Sequence, residues 1–310
     1  MPELVLSITH CNDILYIGKN CVLKKITRFA KNVEQGVNYM IAKVLIDNIT
    51  KNELVSEWGL SFFIEYEGHQ ILLDTGASGS FAENAPKLGV DLEKIEYGVL
   101  SHAHYDHADG MPTFFEKNKT ASFYLRKGTA ENCHGKKKWL FHKYNGIKKG
   151  TLKKFADRIE YVEGDYKLLD GVYLIPHKTL GLEKIAKKVD LYVKEHGKMF
   201  PDDFAHEQTL VFDTPKGLVI FNSCSHGGAD NIIHEVEGTF PEKEICAYVG
   251  GLHLFKSPEE DVRALAQRIK DTGIQKVITG HCTGDEAFAI LKEELGEIVE
   301  QMYTGMEMEF

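Results

Sequence analysis

The segment Ser101-His102-Ala103-His104-Tyr105-Asp106-His107-Ala108-Asp109-Gly110 constrains this chain more than any other. It sets three imidazoles and a carboxylate within six residues, directly after the apolar run Tyr97-Gly98-Val99-Leu100. Four potential metal ligands at the end of a strand are hard to explain as packing, although a solvent-facing histidine loop is the competing reading. Side chains alternate along an extended segment, so His102 and His104 face the same way, while Asp106 and His107 can turn toward a second point. Neutral imidazole suits Zn, Fe, Mn and Ni, and a nearby carboxylate widens the choice toward harder ions. The pattern reads as the seed of a two-metal site.

Three later histidines stand just past other apolar runs. His226 follows Leu218–Asn222 in Asn222-Ser223-Cys224-Ser225-His226-Gly227-Gly228, His253 follows Ile245–Val249 in Gly250-Gly251-Leu252-His253, and His281 follows Lys276–Thr279 in Gly280-His281-Cys282-Thr283-Gly284. Their glycines let the backbone turn tightly and approach closely. Strand ends that gather polar residues are a common place for an active site in layered α/β proteins. His206, in Phe204-Ala205-His206-Glu207-Gln208, also precedes a strand and competes with His226 as a ligand. His253 is open to a metal or a substrate role. Cys224 is either a soft thiolate ligand or a small buried residue. Asp74, two positions before Gly76, is either an anchor for a metal-bound imidazole or a turn cap.

Around these motifs the periodicity predicts strands at Ile41–Asp47, Leu60–Tyr66 and Gln70–Asp74, the last two joined as a hairpin at Glu67-Gly68-His69. A short helix at Phe81–Leu88 stops at Gly89, and another starts at Met111–Glu116. Residues 120–200 mix short strands (Ser122–Leu125, Ile159–Val162, Val172–Ile175, Leu191–Val193) with a lysine-rich stretch that resists assignment. Thr209–Asp213 and Leu218–Asn222 flank a Pro215-Lys216-Gly217 turn, followed by a helix at Ala229–Val236. Ser257-Pro258-Glu259-Glu260 reads as a helix start with Ser257 as the cap. That helix carries its apolar face on Val262, Leu265, Ala266 and Ile269 and ends at Gly273. A helix at Glu286–Leu295 and a strand near Glu297–Tyr303 close the chain. Hairpins in each half, with helices after several strands, fit two sheets packed face to face with helices outside.

The division expected is an N-terminal extension, residues 1–40, with an amphipathic helix at Leu23–Ala30, and one catalytic domain over 41–310. Six scattered cysteines (Cys11, Cys21, Cys133, Cys224, Cys246, Cys282) without a Cys-x-x-Cys pair are no disulfide framework, which points to a reducing cytoplasm. No signal peptide or spanning run is read from the sequence. A formal net charge of −9 argues against nucleic acid and membrane surfaces as partners. Local basic runs (Lys136-Lys137-Lys138, Lys148-Lys149, Lys153-Lys154, Lys187-Lys188) can still draw in a small anion. Nothing in the sequence speaks to oligomeric state.

The motifs taken together resemble the metallo-β-lactamase-fold superfamily, whose His-x-His-x-Asp-His signature is met by His102, His104, Asp106 and His107. The likeness extends over about residues 41–305 and includes Leu72-Leu73-Asp74-Thr75-Gly76 and Gly280-His281. Within the superfamily, Glu57-Trp58-Gly59-Leu60-Ser61 and the glycine-rich motifs around His226, His253 and His281 resemble the archaeal dihydropterin–ribofuranosylaminobenzene phosphate synthases and their bacterial relatives. The resemblance implies a four-layer αββα sandwich of two mixed β-sheets and two divalent ions, zinc first, with manganese or iron as options. It implies that His102, His104 and a third histidine, His226 or His206, hold one ion, and that Asp106, His107 and His281 hold the other. The aspartate that the superfamily usually places after Leu218–Asn222 is here replaced by Cys224.

The function expected on this basis is a dinuclear metal-dependent hydrolase, or a related transferase, acting on a small anionic substrate. A phosphate or pyrophosphate ester is the candidate substrate, attacked by metal-activated water that Asp106 orients. A lactonase or thioesterase is the second enzymatic reading, and a non-catalytic metal-binding or ligand-sensing protein is the third.

Overall fold

The computed structural model describes residues 40–51, 53–138 and 141–310. The expected N-terminal extension and its amphipathic helix lie outside these residues, apart from Met40, which opens the first strand.

Two seven-stranded mixed sheets form the frame. The first runs, edge to edge, through Glu307–Glu309, Met40–Ile46, Ser61–Tyr66, His69–Leu73, Tyr97–Val99, Ser122–Arg126 and Ile159–Val162. The second runs through Val299–Gln301, Lys276–Thr279, Ile245–Val249, Gly217–Phe221, Gln208–Thr214, Val172–Pro176 and Tyr166–Leu169. Each sheet is parallel in one half and antiparallel in the other.

Period-two alternation explains why the sheets stack. Phe62 and Ile64 join Phe212, Val219, Phe221 and Val249 in a core shared by both sheets. Their sequence neighbours face outward: Phe63 and Leu72 pack with Phe81, Met111 and Phe114 from helices on one side. On the other side Ile220 and Tyr248 pack with Ile232, Val236, Leu265, Ile269 and Leu291 from the helices Ala229–Thr239, Glu259–Asp271 and Asp285–Leu295. Three apolar interiors therefore separate four layers, the expected sandwich.

Several local expectations need correction. The lysine-rich stretch is structured: Cys133–Lys138, Phe141–Tyr144, Leu191–Glu195 and Lys198–Pro201 build a separate four-stranded sheet. Its strands pair across more than fifty residues of chain, which local patterning does not reveal. The helix expected to be capped by Ser257 begins at Glu259: Pro258 is extended (φ −57°, ψ 149°) and takes the cap position itself, where its side chain has no polar atom to form a cap bond. The strand expected near Glu297–Tyr303 is shorter, Val299–Gln301, and a further strand that was not expected, Glu307–Glu309, joins the other sheet.

Gly250, immediately after Ile245–Val249, shows how tightly the strand ends are packed. Its φ is 141°, and a Cβ there would lie 1.8 Å from the Asn222 carbonyl oxygen. Gly250→Ala should destabilise the protein by about 3–5 kcal/mol in urea melts, combining backbone strain with overpacking.

Candidate metal centre

Loops leave the carboxyl ends of parallel strands in both sheets and converge at one edge of the sandwich. They follow Tyr97–Val99, Gly217–Phe221, Ile245–Val249 and Lys276–Thr279. The first bends at His102 and Ala103, is extended at His104 (φ −91°, ψ 150°) and then makes the helical turn Tyr105–Ala108. That change of backbone points the two halves of the motif at different places. Donor atoms of His102, His104 and His226 lie within 4.8 Å of one another, and so do those of Asp106, His107 and His281.

Three of the imidazoles are held from behind. His107 Nδ1 donates to Asp74 Oδ2 (2.7 Å). His102 Nδ1 donates to Ser101 Oγ (2.8 Å), which in turn donates to Asp74 Oδ2 (2.7 Å). His226 Nδ1 donates to Glu207 Oε2 (2.5 Å). A proton on Nδ1 leaves the Nε2 lone pair free to ligate.

The free atoms point to a cation. Nε2 of His102, His104 and His226, and both ring nitrogens of His281, are buried without a hydrogen-bond partner. Leaving such a group unsatisfied costs about 1–3 kcal/mol, and ions bound among them would remove that cost. Burial, followed by repulsion from neighbouring imidazoles, lowers the pKa of His102 and His104 well below the ordinary histidine value, so both are neutral. Burial opposes charge on His281, yet the Asp106 carboxylate, with Oδ2 3.6 Å from Nε2, pushes its pKa up to about 9. Burial would raise the Asp106 carboxyl, but His107 and His281 outweigh it and hold it well below the usual carboxylate range. The donor set of imidazoles, neutral at His102 and His104, with an ionised carboxylate fits divalent zinc, manganese or iron.

The remaining candidates separate clearly. Both nitrogens of His206 are engaged: Nδ1 accepts from the Ala103 N–H (3.2 Å), and Nε2 faces Asp202 Oδ2 (3.0 Å) and Cys133 Sγ (3.6 Å). His206 shares a set of donor atoms within 4.8 Å with His104, Cys133 and Asp202, but its nitrogens are already engaged; the free Nε2 grouped with His102 and His104 belongs to His226. Asp74 is fully buried and accepts bonds from Ser101 and His107. Cys224 Sγ lies 3.2 Å from His107 Nε2, on its metal-facing side. His253 is half-buried, with its ring 4.6 Å from that of His226.

Residues that sequence reasoning passed over complete the surroundings. Glu207 links His226 to His177 (Oε1 to Nε2, 3.1 Å), and His177 Nδ1 meets Glu235 Oε2 (3.0 Å). Glu235 Oε1 accepts the backbone N–H groups of Lys178 and Thr179, both at 2.9 Å. Gly227 leaves room for this chain, since a Cβ there would sit 2.4 Å from the His177 ring. Glu207 stood beside the quoted His206, but His177 carried no local signal. Asp47 Oδ2 is buried without a partner, and burial pushes its carboxyl up to about 7 despite the opposing influence of His281. Asp74, Ser225, His253 and His281 all have left-handed backbones (φ 49–61°). Such strain costs on the order of 1–3 kcal/mol per residue and gathers at functional sites.

His177 makes a pH prediction. Burial works against its charge, but hydrogen bonds to Glu207 and Glu235 raise its pKa from 6.5 to about 9. A raised pKa of this kind stabilises the fold fully below the unfolded value and loses that contribution as pH climbs to the folded value. Urea unfolding of the metal-free protein should show stability falling by about 1–3 kcal/mol between those two pH values. His177→Gln should remove its share of that slope; an unchanged slope would mean the imidazole is neutral between its two glutamates.

The donors open onto a cleft of about 530 Å³. Trp58, Tyr105 and Phe255 line it with Lys136, Lys188 and Lys256, and His104, Asp106, Cys224, His226, His253 and Cys282 reach into it. Lys136 comes from the four-stranded sheet, and Ile185 and Lys188 come from the helix Glu183–Lys188, so residues 120–200 supply one wall. Among the described residues no helix is long and apolar enough to cross a membrane.

Comparison with known proteins places this geometry. A model of the metallo-beta-lactamase superfamily matches residues 59–181. A structure described as Tm1679, a metal-dependent hydrolase of the beta-lactamase superfamily, is 30% identical with a TM-score of 0.75, covering 87% of this chain and 98% of its own. The 7,8-dihydropterin-6-methyl-4-(beta-D-ribofuranosyl)-aminobenzene-5'-phosphate synthase of Methanocaldococcus jannaschii is 27% identical over 270 residues, 82% of this chain and 90% of that protein. An uncharacterised protein of the same organism is 28% identical over 254 residues, 81% of this chain and 93% of that protein.

Proposed function

We propose that this chain, which belongs to the metallo-beta-lactamase superfamily, is a dinuclear metal-dependent enzyme that cleaves or transfers a phosphate or pyrophosphate ester. One observation carries the reading: two groups of buried donor atoms, rich in unpartnered imidazole nitrogens, adjoin a cleft that His104, Asp106 and His226 line together with Lys136, Lys188 and Lys256. His102, His104 and His226 would hold one ion, and Asp106, His107 and His281 the other. Bound divalent ions supply Lewis acidity, acidifying water and polarising a phosphoryl oxygen.

The protein's own groups do the rest. Lys136, Lys188 and Lys256 line the cleft and can pair with an anionic group of the substrate, in competition with Asp190, 3.9 Å from Lys136, and Asp261, which line it too. Trp58 and Phe255, whose rings meet edge to face at 5.4 Å, offer an apolar wall to the remainder of the substrate. Asp106 is too weak a base to take a proton efficiently at neutral pH, so its role is to hold and orient. A named relative being a synthase supports group transfer as an alternative outcome of the same chemistry.

The test is elemental mass spectrometry of protein purified without added metal, followed by turnover assays on phosphomonoesters, phosphodiesters and pyrophosphates. The expected result is about two ions per chain or more, with turnover lost on chelation and restored by zinc, manganese or iron. Protein that takes up no ion, or that turns over only neutral lactones, would overturn the reading.

A further inference from the structure

Beside the two donor groups just described lies a third, of different chemistry. Cys224 Sγ and Cys282 Sγ are 3.4 Å apart, both buried, and His253 completes a set whose donor atoms lie within 4.8 Å of one another. We propose that Cys224, His253 and Cys282 form a separate site for a thiophilic ion such as zinc, next to the histidine–aspartate centre and open to the same cleft.

Four features build this site. The backbone N–H of His253 donates to Cys282 Sγ (3.3 Å), the kind of contact that favours a thiolate. His253 Nδ1 is buried and has no hydrogen-bond partner. Gly251 is a cradle for the sulfur, since a Cβ there would lie 2.5 Å from Cys282 Sγ. All three side chains line the cleft, so an ion held by them keeps a position open to solvent or substrate.

The chemistry of the donors sets the class of ion. Two thiolates and an imidazole are soft ligands that select zinc and similar ions over magnesium or manganese. Thiolates bind zinc at about 2.3 Å, a distance that two sulfurs in contact satisfy with one ion. Three protein ligands with an open fourth position are the arrangement of a reactive zinc site, whereas closed sets of four are structural. Cys224 Sγ, between His107 Nε2 and Cys282 Sγ, is placed to touch both this ion and the neighbouring centre.

The experiment loads the full chain, freed of metal and kept reduced, with zinc or cobalt(II). Wild type, Cys282→Ser and His253→Asn are compared by elemental mass spectrometry and by the thiolate-to-cobalt charge-transfer absorption in the near ultraviolet. His253→Asn removes the imidazole at a left-handed position that asparagine tolerates, so it keeps the test alive should Cys282→Ser fold poorly. The expected result is about one zinc ion fewer per chain in either variant and roughly half the charge-transfer intensity in Cys282→Ser. Equal ion counts and equal intensity in wild type and variants would overturn the site. Charge transfer lost in Cys224→Ser but unchanged in Cys282→Ser would do the same, assigning the only bound thiolate to the histidine–aspartate centre. The readouts do not require turnover, and the histidine–aspartate donors are intact in Cys282→Ser and His253→Asn, so failure here leaves the proposed function standing.

Discussion

Asp106→Ala should lower turnover of a phosphate ester by about 10²–10⁴-fold, the range for removing a positioned catalytic group, and should release the ion held with His107 and His281. The carboxylate lies 3.6 Å from His281 Nε2 and is kept ionised by His107 and His281. It is therefore the permanent negative charge among neutral or cationic partners, and alanine leaves that part of the centre without an anion. Asp106→Asn separates the two contributions, because it keeps the shape and removes the charge. The measurement is kcat/KM on the best ester found, with ion content of the same samples. Full turnover with a full complement of ions would take Asp106 out of the centre. A ligand-sensing protein would behave differently again, keeping its ligand wherever the metal is not the contact.

Asp74→Ala has the second large effect, and it is felt first in stability. Asp74 is fully buried and accepts from the Ser101 N–H, the Ser101 hydroxyl and His107 Nδ1, each at 2.7 Å. Alanine strands all three donors inside the protein. At about 1–3 kcal/mol for a buried unsatisfied donor, the fold should lose on the order of 3–5 kcal/mol. His107 loses its anchor directly and His102 loses its own through Ser101, so zinc affinity should fall about 10–100-fold. Urea melts of the metal-free variant and a zinc competition assay read the two effects separately. An unchanged unfolding midpoint would show that water replaces the carboxylate without penalty, and that the buried network is not what holds these rings.

The two variants probe different depths of one design. Asp106, His104 and His226 line the cleft, while Asp74, Glu207 and Ser101 hold the rings of His102, His107 and His226 from behind. His206 shows the same division from the opposite direction: it is as buried as the donors, but its ring nitrogens are spent on Ala103, Asp202 and Cys133. A histidine whose nitrogens are spent on backbone and carboxylate supports a loop; one with a free, buried Nε2, as in His102, His104 and His226, can take an ion.

What the sequence by itself determined was local. Continuous apolar runs such as Phe62-Phe63-Ile64 and Leu218-Val219-Ile220-Phe221, in hairpins with helices after several of the strands, are enough for two stacked sheets buried on both faces. His102, His104, Asp106 and His107 were legible because they crowd into six residues just past an apolar strand; the bend at His102 and Ala103 and the helical turn Tyr105–Ala108 came only with the structure. His226, His253 and His281 were legible because each follows an apolar strand and is flanked by glycines. The tertiary structure alone decided the rest. His177, Glu207 and Glu235 form one chain of hydrogen bonds from three separate elements, and Lys136 and Lys188 reach the cleft from a sheet and a helix with no periodic link to the motifs. Cys224 and Cys282, 58 residues apart, come into contact only because the parallel strands Gly217–Phe221, Ile245–Val249 and Lys276–Thr279 end at the same edge. A backbone period records which face a residue takes, but a side-chain contact between distant strands leaves no trace in the spacing of either partner.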